Sequence, residues 1–175
     1  MTNATNKLLS DFSNTSLEDE DGGSLQIVLR NPTSELQLQR FEESIGTSLP
    51  PQLRELFEVS NGLGWFGVEV LSISELLYYR EQGIIPFHSW GNGDFDCIAT
   101  KESSYQEGAV LFMNHSPEVL VAIESSLVQW MRRIADEIAV KHAVLHPSDY
   151  RTRREQGVYD NVLRTLSGVS CELNS

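Results

Sequence analysis

An Asn92-Gly93 pair stands between two runs of strand-forming residues. The first run is Ile84–Ser89, and the second continues from Phe95 to Ile98. Asn and Gly both adopt positive φ readily, as the two central residues of a type I′ turn require, so the pair predicts a two-residue β-hairpin. Such a hairpin fixes the register of two antiparallel strands, and we expect it to lie at or near the centre of an antiparallel sheet.

Local patterns predict two helices before this hairpin. Ser34 with Gln37 three residues later matches a capping box, and Gly46 marks the end of the helix that it opens. Pro50-Pro51 opens a second helix, because the N–H that proline lacks has no intrahelical partner in the first turn. Both helices are short and amphipathic, so we expect them to pack against a sheet.

Runs of strands dominate the rest of the chain. Besides the hairpin, strands are predicted over 25–29, 68–71, 108–114 and 119–123. A Ser72 and Glu75 capping box predicts a short helix over 74–80, and 125–142 is the best amphipathic helix. Because strands and helices do not strictly alternate, the sequence predicts an α+β fold. We expect a mainly antiparallel sheet of about five or six strands with helices packed around it, and a long helix after the last strand.

Composition divides the chain into three parts. Residues 1–24 are rich in Asn, Thr, Ser and acids and predict a loose acidic arm. Residues 25–142 hold the patterned elements and predict one domain. Residues 143–175 are polar and predict a C-terminal extension, either part of the same domain or partly disordered, with one more short helix over 160–166.

The charge of the chain is strongly negative and unevenly distributed. The net charge is −12; residues 1–131 hold 6 Lys and Arg against 19 Asp and Glu, and residues 132–175 hold 7 against 6. Phosphates repel such an acidic body, so we expect no nucleic-acid partner and instead a protein partner with a basic surface. The alternative explanation of the acidic charge is that it serves solubility. No apolar run is long enough to span a bilayer, no signal-peptide layout precedes the body, and two cysteines make no disulfide framework, so we expect a cytoplasmic location without membrane contact.

Asp94 and Asp96 are the strongest candidates for chemistry. Side chains two apart on a strand share a face, so both carboxylates could reach one divalent metal. Hard cations need more oxygen ligands than two, however, and the sequence places no further acids beside them. We therefore expect no metal, no cofactor and no catalytic residue. In this interpretation Asp94 organises the turn by bonding backbone N–H groups, while Asp96 faces solvent and contributes modestly to a binding face.

The succession of motifs resembles the SUKH superfamily, the Smi/Knr type of domain. The resemblance spans residues 34 to 142 and rests on a succession of short motifs. These are Leu49–Phe57, Ser60–Gly62, a strand, the short helix Ser74–Arg80, Ile85–Phe87, Gly91–Asp94 and the closing helix after Ser126. Its signature residues are Pro50, Asn61, Gly62, Pro86, Gly91, Asn92, Gly93 and Asp94. The resemblance implies an α+β fold without known catalytic residues. It also implies an immunity protein that neutralises a toxin, or alternatively a regulatory module in cell-wall or stress signalling; a metal enzyme using Asp94 and Asp96 is the remaining alternative.

Acids and aromatics on loops are the expected contacts of a protein-binding surface. The candidates are Trp65, Glu69, Asp96, Glu102 and Glu107. The expected partner is a cognate toxin domain with a basic surface, bound by a monomer or weak homodimer of this chain.

Overall fold

A seven-stranded antiparallel sheet organises the computed structural model, which describes residues 7–10, 16–18, 24–26, 28–65, 68–115 and 118–141. Residues 7–10 are helical (α1). The other elements are β1 (Ser16–Glu18), β2 (Ser24–Gln26), β3 (Val28–Leu29), α2 (Glu35–Ile45), α3 (Pro51–Val59), β4 (Leu63–Trp65), β5 (Val68–Val70), β6 (Ile84–Ser89), β7 (Phe95–Ala99), β8 (Val110–His115), β9 (Glu118–Glu124) and α4 (Leu127–Lys141). No helix among these residues is long and apolar enough to cross a membrane.

Neighbouring strands of the sheet are also neighbours in sequence. The order is β3-β4-β5-β6-β7-β8-β9, and β1 pairs with β2 in a separate two-stranded sheet. The predicted hairpin is confirmed, since β6 pairs antiparallel with β7 and β6 is the central strand. The α+β class and the helix after the last strand are confirmed as well. The sheet has one strand more than the sequence predicts, because Leu63–Trp65, for which the sequence predicts no strand, form β4.

The hairpin loop is wider than the sequence predicts. Ser89 pairs with Phe95, and the Trp90 N–H donates to the Asp94 carbonyl at 3.1 Å, which leaves a three-residue loop over 91–93. The prediction of a two-residue Asn92-Gly93 turn is therefore wrong. The physical reason is that the Asp94 side chain bonds to His115 at the end of β8 while the Asp94 carbonyl accepts the Trp90 N–H, so the hairpin closes at Asp94. Glycines with positive φ at the first and third positions of the loop allow this wider turn.

The helix starts follow the predicted capping chemistry. Ser34 caps α2 in a complete capping box with Gln37, and Gly46 ends the helix at φ 74°. Pro50 and Pro51 open α3, as predicted. The Ser126 side chain accepts the Gln129 N–H at 3.2 Å at the start of α4, whose predicted last residue, His142, lies outside the described residues.

All three long helices contribute to one core on one face of the sheet. This cluster includes Leu38 of α2, Phe57 of α3, Trp130 of α4 and Ile98 of β7, each essentially without solvent contact. Leu9 of α1 belongs to the same cluster, so the predicted boundary at residue 24 does not separate α1 from the domain core. The opposite face of the sheet carries a smaller apolar cluster.

The predicted short helix over 74–80 is wrong. Only half of its capping box forms: the Ser72 N–H donates to the Glu75 carboxylate at 2.8 Å, but the Ser72 hydroxyl donates to the same carboxylate at 2.6 Å, and the chain makes only a single turn there. Tyr79 then forms an isolated antiparallel bridge with Ile84. This short bridge takes the place of the predicted helix end.

Three of the family-signature residues shape the structure between α3 and β7. The Asn61 carbonyl side chain accepts the Ile73 N–H at 2.8 Å. Gly62 has φ 81°, and a Cβ there would lie 2.5 Å from the Val70 carbonyl oxygen, so only glycine allows this close approach. Pro86 pairs with Cys97 next to a β-bulge in β6.

Candidate protein-interaction surface

Glu69 lies exposed on β5 and is held by an arginine. Arg30 donates to Glu69 at 2.9 Å and to Glu75 at 3.3 Å. Both pairs are at the surface, where such ion pairs contribute little to stability. Their main effect is on the surface potential. Two carboxylates share one guanidinium group, so the three side chains together keep a net negative charge.

Glu102 follows β7 and ties its loop to the connection between α2 and α3. The Thr47 hydroxyl donates to Glu102 at 2.6 Å, and the Thr100 hydroxyl donates at 3.1 Å. The hydrogen bond from Thr47 is the largest cause that holds the pKa of Glu102 below its ordinary value. The carboxylate is therefore ionised and oriented at neutral pH. Glu107, further along the same loop, is exposed.

The structure separates Glu69 from Glu102. Glu69 pairs with Ser89 at the last residue of β6, whereas Glu102 follows Ala99, which pairs with Ile84 at the first residue of β6. Five residue steps along a strand span about 17 Å. The predicted acidic residues thus lie at opposite ends of the sheet and form two surface regions: the Glu69 end and the Glu102–Glu107 loop.

The prediction that Asp96 faces solvent and contributes to a binding face is wrong. Asp96 is 0% exposed. Its Oδ2 accepts the Trp130 indole N–H at 2.8 Å and lies 2.9 Å from His88 Nδ1. The strand alternates faces as expected, but the face that carries Asp96 lies under α4 rather than toward water.

His88, Asp96 and Trp130 form a buried polar network that the sequence did not predict. The His88 ring lies edge-on to Trp90 at 4.7 Å and tilted against Trp130 at 5.2 Å between centroids. The bulge between Pro86 and His88 brings His88 into register with Asp96. One signal for this burial was available in the sequence. The run of apolar residues in β6 is nearly continuous, which is typical of a strand that is buried on both faces. Polar residues of β6, and the residues that pair with them on the neighbouring strand, are then expected to be buried too.

Asp94 joins the hairpin loop to the end of β8. Its Oδ1 accepts the His115 N–H at 3.0 Å and lies 2.6 Å from the ring Nδ1 of the same residue. Asn92 donates to its other oxygen at 3.0 Å. Burial raises the pKa of Asp94, but the hydrogen bonds from His115 and Asn92 together outweigh it and hold the pKa below the ordinary value.

The two aspartates do not share a ligand site. Asp94 engages His115 and Asn92 in the loop region, while Asp96 engages His88 and Trp130 under α4. Among the residues that the structure describes, no group of three or more His, Cys, Asp or Glu side chains is placed to hold a metal ion.

Trp65 is placed only through its backbone. It ends β4 and pairs with Val68 at the start of β5, at the same end of the sheet as the Glu69 row. Its side chain lies outside the described part of the chain, so its role in binding stays a prediction.

The fold and these surface residues define an α+β domain with a helix-covered antiparallel sheet and an acidic exterior. The chain belongs to the SMI1 / KNR4 family (SUKH-1), whose model matches residues 32–133, more than half of its length. A comparison with curated proteins finds no match. Membership is consistent with an immunity or interaction module and with a protein partner, and the family is generally one of non-enzymatic immunity or regulatory domains.

Proposed function

We propose that this chain is a non-enzymatic immunity protein of the cytoplasm that binds a cognate toxin domain and neutralises it. Family membership supports a protein-binding role. The observation that carries the proposal further is the charge of the body, with 6 Lys and Arg against 19 Asp and Glu over residues 1–131. Such a surface accelerates association with a basic partner and disfavours acidic ones.

Intramolecular ion pairs engage two of the few arginines on this negative surface. Arg30 is paired with Glu69 and Glu75, and Arg54 is paired with Glu35 at 2.6 Å and with Glu58 at 3.7 Å. These arginines are therefore already engaged by acids of the same chain. The exposed acids outnumber them, so a basic toxin surface meets carboxylates rather than guanidinium groups.

The loop around Glu107 is the binding region that we favour for the first test. Glu107 is exposed on the loop between β7 and β8, and Glu102 beside it is anchored by Thr47. An anchored loop loses little conformational entropy on binding, which favours it as a contact surface. Glu69 and Trp65 would form a second contact region at the other end of the sheet.

Co-expression with a toxin encoded beside this gene tests the proposal. We expect the wild type to restore growth and to co-purify with the toxin as a stoichiometric complex. Glu107→Lys should weaken the complex by about tenfold, equivalent to about 1.4 kcal/mol. Glu43→Lys on α2 changes the charge equally at another exposed position and should change affinity less than about threefold. Failure of the wild type to bind or protect would refute the function.

A further inference from the structure

The two edges of the seven-stranded sheet differ greatly in length. One edge strand, β3, has two residues, whereas the other, β9, has seven. Among the described strands, none pairs with the outer edge of β9. A strand edge presents backbone N–H and C=O groups that can pair with another chain, and very short edge strands limit this. The β9 edge lacks that protection.

The side chains of β9 also favour an added strand. Val119 and Val121 are 40% and 37% exposed, although both belong to a strand and share one face. The stretch from Val119 to Ile123 contains no charged residue and no proline, the two residue types that usually protect an edge. Alternate apolar, β-branched residues are the side chains that a paired strand packs against.

The α4 helix contacts β9 at its Glu124 end. After Glu124 the chain turns into α4, whose Trp130 and Met131 are buried in the core on one face of the sheet. Arg133 of α4 donates to Glu124 at 2.9 Å and fixes the end of β9 under the helix. The exposed part of the edge is therefore the half around Val119 and Val121.

Charge argues that the occupant is not a second copy of this chain. Each copy carries a net charge of −12, so two copies repel one another as they approach. The same charge attracts a cationic chain. An apolar strand edge on an acidic protein thus fits a partner strand that alternates apolar residues and is flanked by Lys or Arg.

We propose that the outer edge of β9, around Val119 and Val121, is where a β-strand of a cationic protein partner adds to the sheet. The inference rests on the proposed function, since it places part of the toxin contact at this edge. It adds a backbone-mediated contact to the electrostatic ones, and backbone pairing supplies affinity while Val119 and Val121 select the partner's side chains.

A peptide probe tests the edge without any knowledge of the toxin. The probe is Lys-Lys-Thr-Val-Thr-Val-Thr-Lys-Lys, titrated into the ¹⁵N-labelled full chain and followed by NMR and amide hydrogen exchange. We expect alternate amides of β9 to exchange quickly in the free protein and to become protected with the peptide. Val121→Lys should weaken binding at least about tenfold, because it loses apolar contact and adds a like charge.

Val28→Lys is the matched control. Val28 is a 63% exposed valine on the opposite edge strand, and the substitution changes the net charge equally. It should leave peptide affinity within about twofold of wild type. If Val121→Lys does not fold by circular dichroism, Val119→Lys takes its place.

Several results would overturn the inference. These are protection, already in the free monomer, of the alternate β9 amides that do not pair with β8, peptide shifts confined to other strands, equal affinity of Val121→Lys and wild type, or a dimer that Val121→Lys dissociates. In the toxin assay, neutralisation by wild type and Val121→Lys alike would reject the edge and keep the function. No neutralisation by wild type would reject the function, and the peptide result would decide the edge by itself.

Discussion

Substitution of Asp96 tests the buried network most sharply. Asp96→Ala removes the oxygen that accepts the Trp130 indole N–H at 2.8 Å and that lies 2.9 Å from His88 Nδ1. All three side chains are at most 2% exposed, so water cannot replace the lost partner without a local opening. Each buried polar group left without a partner costs about 1–3 kcal/mol.

Two such groups give an expected loss of about 2–6 kcal/mol. Because domains are stable by only about 5–15 kcal/mol, this loss takes a large share of the total. Asp96→Asn keeps an oxygen acceptor for Trp130 but buries an amide, so we expect a smaller loss of about 1–3 kcal/mol.

Urea unfolding followed by tryptophan fluorescence and circular dichroism measures both losses. The exposed Glu107→Ala is the control and should stay within about 0.5 kcal/mol of wild type. A loss below about 1 kcal/mol for Asp96→Ala, with an unchanged m-value, would refute the claim that the network supports the fold.

Three further substitutions test the local structure. Asp94 has a folded-state pKa below its ordinary value, so its contribution to stability is present above the unfolded-state pKa and is lost as pH falls through the folded-state pKa. In Asp94→Asn, the free energy of unfolding should therefore depend less on pH below about pH 5 than in the wild type. Gly62→Ala should lower the free energy of unfolding, measured in urea, by at least about 1 kcal/mol more than Gly91→Ala. Both glycines have positive φ, but only a Cβ at position 62 would meet a backbone carbonyl oxygen, at 2.5 Å. Equal losses for the two variants would contradict this. Ser34→Ala should cost about 1 kcal/mol in thermal unfolding through loss of the α2 cap, and no loss would show the cap to be dispensable.

Much of the fold followed from short-range chemistry. The capping box at Ser34, the proline start of α3 and the strand pattern around the hairpin act within a few residues, so their outcome can be predicted from sequence. The resemblance to the SUKH superfamily is confirmed by the match over residues 32–133.

The errors have in common a contact outside the local pattern that was used for the prediction. Only half of the Ser72 capping box forms, and Tyr79 pairs with Ile84 where the helix was predicted to end. The Asn92-Gly93 turn widens because Asp94 bonds to His115, which is 21 residues away. Local patterns carry no information about such partners.

The candidate site was predicted less well than the fold. Glu69, Glu102 and Glu107 lie at the surface as exposed carboxylates, but Asp96 is buried because α4, 34 residues later at Trp130, covers its face. Strand alternation assigns residues to two faces, but it does not say which face a later helix will cover.

The affinity of the purified chain for the toxin encoded beside its gene, measured by calorimetry at two salt concentrations, tests the central claim most directly. The account predicts a stoichiometric complex that forms rapidly at low salt and weakens as salt screens the acidic surface. Absence of a complex, or a complex that leaves toxin activity unchanged, would contradict it.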